Sequence, residues 1–249
     1  MAEKIKKQQL DEIFYSKYFS NQASRFSKAD LILQQRNDEK QFRNEILPNL
    51  PEEKNISILE IGCGSGKLVS FLLSKGYNYI AGIDISEEMV DNAHASGLTN
   101  IYCGNVFEFL TNGEEIFDVI IGIDIIEHFE KEDLTNLLLL VLTRLKKNGR
   151  IIFRTCNMDA AFPGQFAYGD FTHATLLNAS SAMQLMQSTG FTTIQIQRSF
   201  ISVNGFLKNI VRKLSWGVIV FCMKIVLFAS GRSSSKSIFS PNIIIVALK

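Results

Sequence analysis

The stretch Ile58-Leu59-Glu60-Ile61-Gly62-Cys63-Gly64-Ser65-Gly66-Lys67-Leu68 runs an apolar strand straight into a glycine-rich turn that opens a helix. A strand buried on both faces reads as a short apolar run. Glycines let the following turn take positive φ and let a ligand approach the backbone with no Cβ in the way. The junction therefore reads as the nucleotide-binding turn of an α/β protein. A dinucleotide fingerprint G-x-G-x-x-G beginning at Gly62 would need glycine at position 67, where this chain has Lys67. The observed spacing is G-x-G-x-G with Glu60 two residues ahead, which disfavours a nicotinamide dehydrogenase.

The residues that follow supply more of a site. Tyr79-Ile80-Ala81-Gly82-Ile83-Asp84 reads as a second buried strand ending in a carboxylate, and Ser86-Glu87-Glu88-Met89 as a helix start with an N-cap serine and acids in the first turn. A carboxylate about 20 residues beyond the glycines, at the end of the second strand, is placed to accept hydrogen bonds from ribose hydroxyls, and that is the role expected of Asp84. A fourth strand, Phe117-Asp118-Val119-Ile120-Ile121-Gly122-Ile123, leads into Asp124-Ile125-Ile126-Glu127-His128. Ligands of open α/β sheets sit outside the carboxyl ends of the strands, so Asp124, Glu127 and His128 fall on the ligand side by topology alone.

These motifs resemble, in order, those of the class I S-adenosylmethionine-dependent methyltransferases. That family carries an acidic residue, one spacer and G-x-G-x-G, then an acid ending strand two, and F-D-x-I/V followed by a polar residue and E-H after strand four. The resemblance implies S-adenosylmethionine as cofactor and a Rossmann-like seven-stranded α/β sheet with helices on both faces and strands six and seven antiparallel. It implies cofactor contacts from Glu60, Gly62, Cys63, Gly64, Gly66 and Asp84, from Ile85 packing on the adenine, and from Ile123 and Asp124. The family's usual acid after strand three would contact the adenine amino group; here Asn105, followed by Val106, stands in that place, and an amide can accept the same hydrogen bond through its oxygen.

The periodicity predicts strands near residues 56–61, 79–84, 100–103, 117–123, 149–155, 192–199 and 242–248, with helices near 66–75, 87–96, 132–146 and 180–188. Asn148-Gly149 reads as the C-cap of the 132–146 helix, and Leu137 to Leu142, apolar all round, as a heavily buried segment of it. Residues 1–55 read as a polar, helical N-terminal cap that includes Tyr15, Tyr18 and Phe19. It either covers the cofactor or packs on the sheet edge, ahead of a methyltransferase domain over 56–249.

Methyl transfer from a sulfonium is an in-line displacement at carbon, so the enzyme must align donor and acceptor and, for a hydroxyl acceptor, remove a proton. Two of the three histidines, His128 and His173, follow predicted strands on the ligand side and are the candidate bases, whereas His94 reads as a solvated helix residue. His173 ends Tyr168-Gly169-Asp170-Phe171-Thr172-His173 within a long polar, aromatic-rich loop over 155–180, and loops of that length in compact domains are usually functional. With Arg154 and Asn157 ahead of it, this phrase resembles a subset of class I methyltransferases of sugar and cell-surface polysaccharide synthesis that carry D-x-T-H. That resemblance assigns Tyr168, Arg154 and Asn157 to the acceptor, and Asp170 to orienting the base. The leading expectation is O-methylation of a sugar or glycan hydroxyl. The alternatives are a small-molecule O-methyltransferase of the quinone-biosynthesis type, which shares Glu-His after strand four, and a non-catalytic cofactor-binding module.

The net charge is +1, with no global basic footprint for nucleic acid. Cys63, Cys103, Cys156 and Cys222 form no C-x-x-C pair and read as reduced thiols of a cytoplasmic protein without a metal site. The basic N-terminus is not followed by an apolar stretch, so no secretory signal is expected. An insert over 203–240 separates strands six and seven. Within it, residues 206–229 place Lys208, Arg212 and Lys213 among helically spaced apolar residues before a nearly unbroken apolar run. The readings are peripheral contact with a membrane surface, burial in the fold, or a homodimer interface.

Overall fold

A computed structural model describes Phe14 and residues 28–249, so Tyr15, Tyr18 and Phe19 lie outside the described residues. The strands are β1 (Ser57–Ile61), β2 (Tyr79–Asp84), β3 (Ile101–Cys103), β4 (Phe117–Ile123), β5 (Leu145–Cys156), β6 (Thr192–Arg198) and β7 (Asn242–Leu248). They form one sheet in the order β3-β2-β1-β4-β5-β7-β6. Neighbours from β3 through β5 pair in parallel, and β7 pairs antiparallel with both β5 and β6. The expected seven-stranded architecture is therefore present. The order reverses between β1 and β4, and the carboxyl ends of those two strands open the crevice where such sheets bind ligands.

Helices α1 (Lys28–Gln41), α2 (Lys67–Leu73), α3 (Glu87–Ala95), α4 (Val106–Asn112), α5 (Lys131–Arg144), α6 (Pro163–Ala167), α7 (Ala179–Ser188) and α8 (Phe206–Ala229) complete the described chain. Buried side chains fall into two clusters, one for each face of the sheet. Leu59, Ile120, Ile151 and Ile245 meet α5 and α7 residues such as Leu138 and Met186. Their neighbours Ile58, Val119, Ile121 and Ile152 meet Leu68, Val90 and the N-terminal Phe42, Ile46 and Leu50. Alternation along each strand produces this split, since successive side chains point to opposite faces. The segment that continues α1 thus packs into the core of one face.

Three expectations are corrected. Helix α5 ends at Arg144, and Leu145, almost fully buried, already pairs with Phe117 as β5 begins. Asn148 and Gly149 lie inside β5, where the register with β4 slips between Phe117 and Val119; Asn148 takes φ +63° there, so the pair builds a bulge and caps no helix. Leu137, Leu138 and Val141 are buried, but Leu139 is exposed, because α5 turns only one stripe to the sheet. Lastly, α8 forms where the insert was expected to be helical, yet none of its residues is buried, which removes the reading in which it packs within the fold.

Candidate active site

The glycine turn bridges β1 and α2 at the carboxyl edge of the sheet. Gly62, Gly64 and Gly66 have φ of +67°, +51° and +72°, in the left-handed region that favours glycine. The N–H groups of Gly62 and Cys63 donate to the Ile83 carbonyl at 2.8 and 3.1 Å. Gly64 N–H donates to Asp84 Oδ2 at 2.7 Å, while Asp84 Oδ1 accepts from Ser86 N–H at 2.9 Å. Asp84 thus braces the turn with one oxygen and the start of α3 with the other. A carboxylate has about four lone-pair positions, so capacity for a ligand hydroxyl remains. Burial raises the Asp84 pKa, and the backbone donors oppose that rise.

The three glycines differ in what surrounds them. A Cβ on Gly62 would lie 2.7 Å from Ile125 Cγ1, and one on Gly66 would lie 2.4 Å from Leu98 Cδ1. At Gly64 it would meet nothing among the described residues nearer than the Met89 side chain at 4.0 Å. The turn is thus a cradle open at its middle glycine. Beneath it Glu60 is buried, and its Oε2 has no hydrogen-bond partner among the described residues. Burial, and then the nearby Asp84 charge, push its pKa well above the ordinary carboxylate value. A buried acceptor left unmet costs about 1 to 3 kcal/mol until a donor reaches it. An open glycine cradle beside a carboxyl with one unmet oxygen is a fit for a ligand that brings donors of its own.

Around this cradle Ile85 is exposed directly after Asp84. The Cys63 thiol is buried against Gly82, where an added Cβ would come within 2.7 Å of the sulfur; what Cys63 offers the turn is its backbone. Asn105 is the N-cap of α4, its side-chain oxygen accepting from Phe107 N–H at 2.8 Å, and Val106 opens that helix, packed on the core. Ile123, at the end of β4, is half-buried against the other cluster.

Asp124 takes φ +50°, an uncommon conformation for a residue with a side chain. It is held by Arg154, whose guanidinium donates to both carboxylate oxygens, Nε to Oδ1 at 2.9 Å and Nη2 to Oδ2. The same guanidinium donates from Nη1 to Gln41 at 2.8 Å and to Glu45 at 3.3 Å, and Glu45 also accepts from Phe200 N–H at 2.7 Å. Arg154, assigned to the acceptor by the sequence, is buried and joins the N-terminal segment, β4, β5 and the chain after β6. Asn157, assigned likewise, also has its amide engaged within the protein. It is buried, with its amide donating to the carbonyls of Ile238 and Ser240 and its oxygen accepting from Asp159 N–H. Gln41 and Glu45 carried no motif in the sequence. Only their packing on β5 makes them partners of Arg154.

Beside this network the loop after β5 returns to the end of β4. The Glu127 carbonyl accepts from Ala174 and Thr175 N–H at 2.8 and 3.0 Å, and the Glu127 carboxyl accepts from Thr155 Oγ1 at 3.0 Å. Burial and the Asp124 charge push Glu127 up to about 8. This docking brings His128 and His173 together, with ring centroids 4.7 Å apart and planes at 76°. His173 Nδ1 lies 2.9 Å from the Ala167 carbonyl, which can only accept, so Nδ1 carries a proton and donates it there. Thr172 Oγ1 donates to Asp170 Oδ1 at 2.7 Å and lies 2.8 Å from His128 Nδ1, which assigns a proton to His128 Nδ1 as well. Burial, and next the neighbouring His173, lower the His128 pKa, so its imidazole is neutral at pH 7. Although burial alone would raise Asp170, the Thr172 hydrogen bonds bring it below the ordinary value and keep it ionised.

His128, Asp170 and His173 each offer one ligand atom within 4.8 Å of the others, a donor set able to accept an acceptor proton or to hold a divalent cation. Tyr168 is exposed on the same loop, together with Phe162, Phe166 and Phe171, and the Phe14 ring lies 5.7 Å from that of Phe171. Next to the loop a cavity of about 260 Å³ is lined by Gln41, Phe166, Phe200, Ile201 and Asn242. A cavity of similar size lies at the start of β4, lined by Phe109, Phe117 and Arg144, at the opposite end of that strand from Asp124 and His128.

Residues 34–196 match a family model described as a methyltransferase domain. The ubiquinone biosynthesis O-methyltransferase of Rickettsia conorii is 30% identical over 106 residues, which cover 41% of this chain and 35% of that protein. That of Rickettsia bellii is 32% identical over 107 residues, covering 41% and 43%. The chain thus spans less than half the length of these curated relatives. Among solved structures, an S-adenosylmethionine-dependent methyltransferase from Archaeoglobus fulgidus superposes with TM-score 0.65 at 20% identity, covering 86% of this chain and 94% of that one. A Thermotoga maritima protein described as a possible histamine N-methyltransferase gives 0.63 at 18%, covering 96% and 99%. At these identities the superpositions establish the fold.

Proposed function

This chain belongs to the methyltransferase-domain family, and we propose that it is an S-adenosylmethionine-dependent enzyme that methylates a hydroxyl oxygen held at the His128–Asp170–His173 cluster. The observation that carries the proposal is that pairing of the two imidazoles at the carboxyl edge of the sheet, the edge that also carries the glycine turn, with Asp170 ionised beside them. When bound, S-adenosylmethionine supplies an electrophilic methyl group. Gly64 allows it to lie on the backbone of the turn that Gly62 and Gly66 let form, Glu60 and Asp84 offer carboxyl oxygens to its donors, and Ile85 offers an apolar face to its base. Asn105 retains amide capacity for the same base beyond its capping bond. His173 Nε2 takes the acceptor proton as the oxygen attacks, while the Ala167 carbonyl fixes the ring. Asp170, through Thr172, fixes the ring of His128.

Two acceptor classes fit this chemistry. The Asp170-Phe171-Thr172-His173 phrase favours a glycan hydroxyl, through its resemblance to polysaccharide methyltransferases. The exposed Phe162, Phe166 and Tyr168 around the cluster, together with relatives described as ubiquinone biosynthesis O-methyltransferases, favour a phenolic ring. We take the phenol as the better reading, because stacking aromatic side chains recognise a flat ring. Incubating the protein with methyl-labelled S-adenosylmethionine and either catechol-type phenols or nucleotide and lipid-linked sugars decides between them by which fraction takes the label. His173→Ala should lower turnover roughly 100-fold or more while leaving affinity for S-adenosylhomocysteine unchanged. Full turnover in that variant removes His173 as the base.

A further inference from the structure

Helix α8 is the least explained part of the molecule. It runs for 24 residues, about 36 Å at the ordinary helical rise, and buries none of them. Leu207, Val211, Leu214, Val218, Phe221 and Ile225 recur at alternating spacings of four and three and make one continuous apolar stripe, each of them at least half exposed. The stripe ends on Phe228, 83% exposed. So much uncovered apolar surface on a single helix marks an interaction site. Among the described residues no helix is long and apolar enough to cross a membrane, so α8 does not span one.

Charge indicates the occupant. The chain has 25 Asp and Glu residues, yet none of them lies beyond Asp170. The last 79 residues, α8 included, carry only positive charge, with Lys208, Arg212, Lys213 and Lys224 on the helix and Arg232 and Lys236 just after it. A second copy of the same helix brings no carboxylate to these cations, and a two-helix seam would leave Ile219 and Val226, which are exposed away from the stripe, in water. An anionic lipid surface meets both demands. Its headgroups take the basic first half, and the apolar boundary below takes the second half, which is apolar nearly all round. Trp216 sits where the two halves meet, as interfacial tryptophans do.

The position of the helix connects it with the site. Arg198 ends β6 opposite Ile243, and Asn242 opens β7 opposite Cys156, so the α8 insert leaves and rejoins the sheet at the same carboxyl edge that carries the glycine turn and the histidines. Asn157, at the start of the His173 loop, donates to the carbonyls of Ile238 and Ser240 just beyond the helix and ties that loop to the insert. Phe166 and Ile201 line the cavity between them. We propose that α8 docks the protein in the plane of an anionic bilayer with the active-site rim toward it, so that the acceptor is an amphiphile whose apolar part stays in the lipid. The docking stands on the helix alone; the identity of the acceptor rests also on the methyl-transfer reading above.

The test uses the full chain with vesicles of phosphatidylcholine alone or with phosphatidylglycerol. Trp216 is the only tryptophan in the sequence, so its emission reports on α8 directly. The protein should sediment with the anionic vesicles, shift Trp216 emission to the blue, and dissociate as salt shortens the Debye length. Replacing Lys208, Arg212 and Lys213 by glutamine should weaken vesicle binding roughly 100-fold, since basic residues near an anionic surface contribute roughly fivefold each. The same variant should keep its helical content and its affinity for S-adenosylhomocysteine. If the wild-type chain stays in the supernatant at low salt, or binds neutral and anionic vesicles alike, the proposal fails. A dimer in sedimentation velocity whose Trp216 is shielded without lipid overturns it in favour of self-pairing through the stripe. Binding of S-adenosylhomocysteine in vesicle-free solution tests the methyltransferase reading separately, so either can fail while the other stands.

Discussion

Gly64→Ala and Gly62→Ala form a matched pair that tests how the turn works. Both positions hold left-handed φ, +51° and +67°, so an alanine at either costs about 1 to 2 kcal/mol of backbone strain. The surroundings then separate them. At Gly62 the new methyl would press on Ile125 at 2.7 to 3.1 Å, including its branched Cβ, which cannot swing away, and overpacking of that kind adds about 1 to 3 kcal/mol. The expected losses of stability are therefore about 2 to 5 kcal/mol for Gly62→Ala and about 1 to 2 for Gly64→Ala, read by urea denaturation. Binding should separate them further. Among the described residues no atom nearer than Met89 closes the space beyond Gly64, and a ligand lying on the backbone there would meet the methyl instead. The same 1 to 3 kcal/mol of crowding then becomes roughly a 5- to 150-fold loss of S-adenosylhomocysteine affinity, measured by titration calorimetry in a variant that is folded. Wild-type affinity in Gly64→Ala would show that the ligand does not cross this glycine, and equal stability losses in the two variants would refute the packing argument at Gly62.

Arg154→Met should destabilise the protein by about 3 to 5 kcal/mol, since it leaves Glu45 buried and Asp124 without its clamp; adding Glu45→Leu should restore part of the loss in the same denaturation assay. Asp84→Ala should cost about 1 to 3 kcal/mol of stability through the N–H groups of Gly64 and Ser86 that lose their acceptor, and should weaken cofactor binding as well; an unchanged melting temperature would deny it the bracing role. Glu127 has a folded pKa near 8 against an ordinary 4.5, so the unfolded chain gives up its proton first. Its effect is absent below about pH 4.5, grows as pH rises through that window and is complete above 8, so stability should fall with pH there and Glu127→Gln should flatten the slope in a pH series of urea melts.

Much of the fold was legible because its signals are local. The apolar runs of β1, β2 and β4 and the glycines that follow them are required by burial on both faces and by positive φ, and neither needs a distant partner to be read. The same is true of Asp84, whose position at a strand end puts it beside the turn. Other features are decided by distant residues. Helix α5 stops early because Leu145 finds Phe117, and Arg154 and Asn157, which looked like acceptor residues, are taken by Asp124, Glu45, Ile238 and Ser240, brought to them by the sheet order. Likewise the sequence offered His128 and His173 as separate candidates 45 positions apart; the docking of Ala174 and Thr175 on the Glu127 carbonyl makes them one site. For residues 206–229 periodicity determined a helix with a basic half and an apolar stripe. Whether that stripe met the sheet or the solvent depended on where β6 and β7 leave the insert, and that is a property of the tertiary structure, because no pattern within a helix specifies what lies opposite its apolar face.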